Sequence, residues 1–255
     1  MASLSAIIIT RNEEKLIGEC LLSLKDLANE IIVVDSGNTD STNDIAKSFG
    51  ARIVSTQDID YSHYRNAGLR AAKGDWIFYL DADERVTPLL KKEIEQVISS
   101  ISSNSVYQIP RKNIYLGQEM HFGGWGGDKV IRLFPKKQLS GYTGALHEQP
   151  VYSGQLLTMN HELVHYSHRD LSSMLDKTLV FTQFEAQLRV DANHPPMVWW
   201  RFLRVMATEF WLRFVKLSAW KDGVEGIIDG IFQVFNSFVI YARLWELQNE
   251  KGRRL

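Results

Sequence analysis

The chain predicts an α/β fold: a mixed, mainly parallel sheet flanked by helices, followed by a helical C-terminal extension. Three observations carry this. Over roughly the first 80 residues, short runs rich in β-branched residues alternate with segments of helical spacing. Those runs are apolar throughout rather than alternating with polar residues, as in strands covered on both faces. From about residue 170 to 250 the pattern turns mostly helical.

Taken in order, "LSAIIIT" is the first strand and "RNEEKLIGECLLSLKDL" leads into the first helix. "EIIVVDSG" is a second strand stopped by Asp35, Ser36 and Gly37. Thr39, Asp40 and Ser41 offer N-caps for "DIAKSF", and Gly50 closes that helix. "ARIVST" is a third strand, "YSHYRNAGLRAAKG" a third helix ending at Gly74, and "DWIFYL" a fourth strand. Pro88 suits the first position of the next helix. Residues from about 88 to 165 then give short strands and glycine-rich turns, which read as antiparallel structure closing over the sheet. Breaks are expected at His194-Pro195-Pro196 and near Asp222-Gly223. The expected division is residues 1–168 as the catalytic domain and 169–255 as the helical region.

Composition narrows the function. The 255 residues carry a formal net charge of −1, which gives no basic footprint for nucleic acid. The lone Cys20 excludes an intramolecular disulfide and fits a reducing compartment. The N-terminal stretch lacks a basic n-region, so no signal peptide is expected. No stretch is expected to approach the roughly 20 apolar residues of a membrane span. A cytoplasmic protein is expected.

Ligands of such sheets sit at the carboxyl ends of strands, near a reversal of strand order. "YLDADERV" places Asp81, Asp83 and Glu84 at one such end. An Asp-x-Asp pair on extended backbone points to one side and suits Mg²⁺ or Mn²⁺ with phosphate oxygens and water. Alone it reads more often as a solvated turn, and its place after the fourth strand favours function. Glu84 is expected to begin the turn into the next helix or to support the site from behind. Asp35 ends a neighbouring strand, where a carboxylate accepts from a base imide or ribose hydroxyl, or anchors an Asx turn. Thr10, Arg11 and Glu13 are expected to face the same crevice. No GxGxxG follows the first strand and no GxxxxGK[ST] occurs, which argues against dinucleotide and P-loop sites.

Together, "AIIITRNEE", "IIVVDSGNTDST" and "YRNAGLRAAKGDWIFYLDADE" resemble the family-2 glycosyltransferases, whose Rossmann-like fold is called GT-A. The resemblance implies a nucleoside-diphosphate sugar donor, held at Asp81-Ala82-Asp83 through a divalent metal. It further implies that Asp35 contacts the nucleoside and Arg65 the base or diphosphate. "DADERV", "KVIRLFP", "GALHE" and "DGVEGIIDGIF" are similar to bacterial lipopolysaccharide-core β-glucosyltransferases. That implies inverting transfer of a hexose, glucose, from a UDP-sugar to a lipopolysaccharide-core or related envelope glycan. A single carboxylate base then suffices, with Glu148 the first candidate, His147 beside it an alternative, and Asp128 a third. Among His161, His165 and His168, His165 or His168 is a candidate further metal or diphosphate ligand; the same spacing fits an ordinary strand or loop. A nucleotidyltransferase is the competing enzyme class, but "TRNEEKLIG" is too acidic for a triphosphate loop. A non-catalytic sugar-nucleotide-binding protein is the other alternative, disfavoured by the presence of both aspartates.

In residues 195–221, helical spacing gathers Trp199, Phe202, Leu203, Met206, Phe210, Phe214, Leu217 and Trp220 on one side and Arg201, Arg204 and Lys216 roughly opposite. That suits the inner face of the cytoplasmic membrane, with a lipid-linked acceptor as partner. It also suits a helix packed on its own domain or on a second subunit of a homo-oligomer. Gly223, Gly226 and Gly230 are expected to admit close helix contact.

Overall fold

The computed structural model describes residues 2–56, 60–100, 104–144 and 148–249. It divides into two compact units, one of Met1–Lys112 with Asp128–His165, the other of Asn113–Gly127 with Tyr166–Leu255.

In the first unit, β1 (Leu4–Thr10), α1 (Ile17–Ser23), β2 (Glu30–Asp35), α2 (Thr42–Ser48), β3 (Arg52–Ser55), α3 (Tyr61–Ala71) and β4 (Trp76–Asp81) alternate. β5 (Glu84–Val86) and α4 (Pro88–Ser99) follow. Then come β6 (Ser105–Tyr115), β7 (Gln118–Glu119), which belongs to the second unit, β8 (Lys129–Pro135), β9 (Leu139–Thr143), β10 (Gln149–Tyr152), β11 (Gln155–Thr158) and β12 (Leu163–His168). The strand order β3-β2-β1-β4 is parallel throughout, and β8 joins β4 antiparallel. The mixed, mainly parallel sheet is therefore the one the alternating pattern predicts. The order reverses between β1 and β4, the place where such sheets bind ligands.

Both sheet faces are buried, which explains why the strands are apolar at every position. Ala6, Ile8, Val33, Phe78 and Leu80 pack with Ile17 and Leu21 of α1 and Leu90 and Ile94 of α4. Ile7, Ile32, Val34, Ile77 and Tyr79 pack on the other side with Tyr64 of α3. Each such side chain removed from water contributes about 1.5–3 kcal/mol. Local signals are used largely as read: Thr87 caps α4, with Pro88 at its first turn. The N-cap position of α2 is Ser41, which makes no side-chain cap bond; Asp40 before it accepts through Oδ1 from Thr42 N–H at 3.0 Å and Thr42 Oγ1 at 2.6 Å. Glu84 does not begin a turn into a helix; it opens β5, which pairs with β12.

In the second unit, α5 (Leu171–Asp191), α6 (Trp199–Phe210) and α7 (Gly223–Asn249) are the main helices. The expected breaks fall between α5 and α6 and at Gly223, whose φ of 74° opens α7. A π-helical stretch, Trp211–Lys216, continues α6. The glycine-rich segment 113–127 groups with these helices because their carboxylates hold it. Asp222 Oδ2 accepts from His121 N–H at 3.0 Å and Phe122 N–H at 2.7 Å. A Cβ at Gly230 would lie 2.6 Å from Phe214, so that glycine permits a close approach. By length and composition Ala219–Asn249 is long and apolar enough to cross a membrane, an 18-residue window of it having mean hydropathy 1.3. This differs from the expectation that no stretch approaches a span, because Asp222, Glu225 and Asp229 interrupt the apolar residues along the sequence.

Candidate active site

The site is built at the carboxyl ends of β2, β1 and β4. Register places Thr10 opposite Asp35 and Ile9 opposite Asp81, so these ends lie level. Asp81 ends β4 and meets two arginines. Arg132 of β8 donates from Nη2 to Asp81 Oδ2, and Arg65 of α3 approaches Asp81 Oδ1 at 3.5 Å. Burial alone would raise the Asp81 carboxyl pKa, but Arg132 and then Arg65 hold it below the usual carboxylate range.

Glu84 supports this from behind, as one sequence expectation had it. Its side chain is 0% exposed. Oε2 accepts the Asp81 N–H at 2.9 Å, while Oε1 takes Arg132 Nη2 at 2.9 Å and Arg111 Nη1 at 3.3 Å. Two of the three crowded carboxylates of "DADE", Asp81 and Glu84, are thus paired with arginines from other elements. Arg132 and Arg111 escaped notice as site residues. Arg132 carried a usable signal, being a charge inside the apolar run Val130-Ile131-Arg132-Leu133-Phe134. A buried strand holds an arginine only against a carboxylate.

Arg65 links Asp81 to the candidate base. Its Nε donates to Glu148 Oε1 at 2.8 Å, and its guanidinium lies 5.3 Å from the Tyr79 and Tyr142 ring centres. Burial first, offset by Arg65 and Arg132, leaves the Tyr142 hydroxyl pushed up to about 12. Arg65, Arg132, Tyr142 and Glu148 line a cavity of about 410 Å³. A larger cavity of about 990 Å³ lies at Lys73, Asp75, Trp76 and Lys136, at the amino end of β4 and away from these groups. Asp128 has a different arginine partner from Glu148. Arg111 binds it through Nε at 2.7 Å and Nη2 at 2.6 Å. His147 lies outside the described residues.

The three histidines separate. His165 sits opposite Glu84 in the β12–β5 ladder, which brings its Nε2 to 3.6 Å from Asp83 Oδ2. His161 Nδ1 lies 2.7 Å from Glu93 Oε2, on α4. His168 stands edge-on to the Tyr115 ring at 5.6 Å. Among the described residues no three metal-capable side chains form one group. A carboxylate beside an imidazole nevertheless fits one edge of a divalent cation's coordination sphere, with the rest left to phosphate and water. Asp83 and His165 would hold such an ion, while Asp81 is engaged by arginine.

Around Asp35 the Asx-turn reading is realised. Oδ1 accepts from Gly37 N–H at 2.8 Å and Asn38 N–H at 2.7 Å, and Oδ2 from Asn43 Nδ2 at 2.7 Å. Burial tends to raise its pKa, but these donors, led by Asn38 N–H, bring it below the ordinary value. Thr10 is 1% exposed, and its hydroxyl accepts from Asn38 Nδ2 at 2.8 Å. It therefore braces the turn rather than lining the crevice. Arg11 is exposed, Glu13 half-buried with its N–H on Thr42 Oγ1 at 2.8 Å, and Ala82 buried with its carbonyl on Arg85.

An open parallel sheet with carboxylates gathered beside its strand-order switch is the arrangement of a nucleotide-using enzyme. The profile of glycosyl transferase family 2 matches residues 5–161, and the chain belongs to that family. It is 28% identical to an uncharacterised glycosyltransferase of Rickettsia typhi over 97% of this chain and 88% of that one. It is 24% identical to the lipopolysaccharide core biosynthesis glycosyltransferase LpsC of Rhizobium meliloti, over 98% of this chain and 94% of that one. A crystal structure of glucosyl-3-phosphoglycerate synthase from Mycobacterium tuberculosis, with Mn²⁺, UDP and glucosyl-3-phosphoglycerate, overlaps 44% of each chain at 25% identity and a TM-score of 0.37.

Proposed function

We propose that this glycosyltransferase moves a hexose, glucose, with inversion from a UDP-sugar to a lipopolysaccharide-core or related envelope glycan. The observation that carries the reading is Arg65, which holds Glu148 through Nε and Asp81 through Nη2 in one site. The full-length likeness to LpsC supports the acceptor class.

In this reading the acceptor hydroxyl oxygen attacks the anomeric carbon while Glu148 takes its proton. The bond from that carbon to the diphosphate oxygen breaks, and its electron pair leaves with UDP. A divalent metal, Mg²⁺ or Mn²⁺, held by Asp83 and His165, would supply charge neutralisation on the departing diphosphate. Arg65 and Arg132 position Asp81 at the edge of that site, and Asp35 faces the nucleoside. Glu148 is favoured over Asp128 as the base because Arg65 ties it to Asp81, whereas Arg111 ties Asp128 to Glu84.

A screen of nucleotide sugars for donor hydrolysis, with and without Mn²⁺, tests donor and metal together; UDP-glucose is expected to turn over only with metal. Glu148→Gln is expected to bind donor as the parent does and to lose transfer by about 10²–10⁴-fold. A fully active variant would move the base elsewhere.

A further inference from the structure

Two helices of the second unit leave a large apolar surface facing outward. On α7, Val224, Ile227, Ile228, Ile231, Phe235 and Phe238 recur at three- and four-residue spacing, and each is at least 38% exposed. The face turned inward holds Phe232, Ile240 and Leu244 together with Gly226, Gly230 and Asp229, the last 0% exposed and accepting from Trp125 Nε1 at 2.9 Å and Gln233 Nε2 at 3.1 Å. On α5, Thr178, Thr182 and Glu185 are buried beside Met174 and Ala186, with Thr178 Oγ1 donating to Asn236 Oδ1 at 2.7 Å, while Leu175, Leu179 and Phe184 face outward. A helix docked in water turns its apolar stripe to the core. Apolar side chains outside, with small residues and satisfied polar groups between the helices, are what a lipid surrounding selects.

Charge identifies the kind of lipid. α6 has no buried residue, and Trp199, Leu203 and Phe210 are 76%, 62% and 52% exposed. Arg201 and Arg204 lie 5.2 and 5.6 Å from the Trp200 ring centre, and Lys221 lies 5.6 Å from that of Trp220. Between residues 199 and 222 the acidic residues are Glu209, which Arg213 engages, and Asp222, which is buried. Along α6 and on to residue 222 the exposed charge bordering the apolar face is therefore basic. Across a two-fold interface with a second copy these cations would meet one another, whereas anionic headgroups would neutralise them.

We propose that this helical unit seats the outward faces of α5, α6 and α7 in one leaflet of an anionic membrane, with the Trp and Arg side chains at headgroup level. The chain is held peripherally by a built surface of three helices, and the proposal stands independently of the transfer chemistry.

Flotation of the full chain tests it, using vesicles of equimolar phosphatidylglycerol and phosphatidylethanolamine against phosphatidylcholine alone. The chain is expected to float with the anionic vesicles and to be partly released by high salt. Ile231→Glu/Phe235→Glu should lower the bound fraction about tenfold or more, with near-ultraviolet circular dichroism unchanged because both side chains face out. Arg201→Gln/Arg204→Gln should weaken binding to anionic vesicles by about tenfold or more and leave phosphatidylcholine binding unaltered; this pair decides the matter if the glutamate variant fails to fold. A chain that stays soluble with both vesicle types overturns the proposal. So does a light-scattering mass of two chains that vesicles do not change, which would assign the face to a second copy.

Discussion

Glu84 is 0% exposed and has no water to solvate its charge, so its burial depends on Arg132 and Arg111. Removing one partner of such a group costs far more than the pair contributes, because the charge left behind stays buried. Arg132→Met is therefore expected to destabilise the fold by about 3–5 kcal/mol, read from urea unfolding followed by circular dichroism. Arg132→Lys should recover part of this, since a single ammonium cannot reproduce the guanidinium's contacts to both Asp81 and Glu84. Acid acts on the same residues. Asp35 and Asp81 have folded pKa values below the ordinary 3.8, so each contributes stability that is complete above that value and lost as pH falls through the lower folded one. Urea midpoints should hold from neutral pH down to about 4 and drop below it. Asp35→Asn should flatten the drop, and an unchanged acid limb would contradict the linkage.

At the scale of elements, backbone pairing does what local chemistry cannot. His165 reaches Asp83 because β12 runs antiparallel to β5, with His165 opposite Glu84. Close packing matters as much beneath the site. On α3, a Cβ at Gly68 would overlap Ile7 and lie 3.1 Å from Val34. Gly68→Ala should destabilise the protein by about 1–3 kcal/mol despite its better helix propensity, measured by urea denaturation. This scale also shows what sequence could and could not reveal. The parallel strands were legible because uniform apolar runs have one stable placement, in a sheet covered on both faces. Asp35 and Asp81 were legible because they interrupt such runs. The partnership of Arg65 with Glu148 joins residues 83 apart, and no local pattern carries a pairing of that kind. The same holds for Arg132 and Asp81, 51 apart. β5 was missed because three residues, "ERV", have no periodicity of their own and become a strand only when β12 pairs with them.

For the whole molecule, the outward apolar surface of the helical unit needs the fold to be seen. The sequence identified apolar residues on α6 and glycines on α7, but not that Ile227, Ile228 and Ile231 face outward while Asp229 faces in. A lipid-linked acceptor would give that surface a use, by concentrating enzyme and acceptor on one leaflet. The central claim is the proposal that Asp83, two residues beyond β4, holds a nucleotide sugar's diphosphate together with His165 through a divalent metal. Calorimetric titration of UDP into the parent chain and Asp83→Ala, with Mn²⁺ and with EDTA, addresses it most directly. Binding should require Mn²⁺ in the parent and weaken at least about tenfold in the variant, the equivalent of about 1.4 kcal/mol. Equal affinity in both chains, with or without metal, would contradict it.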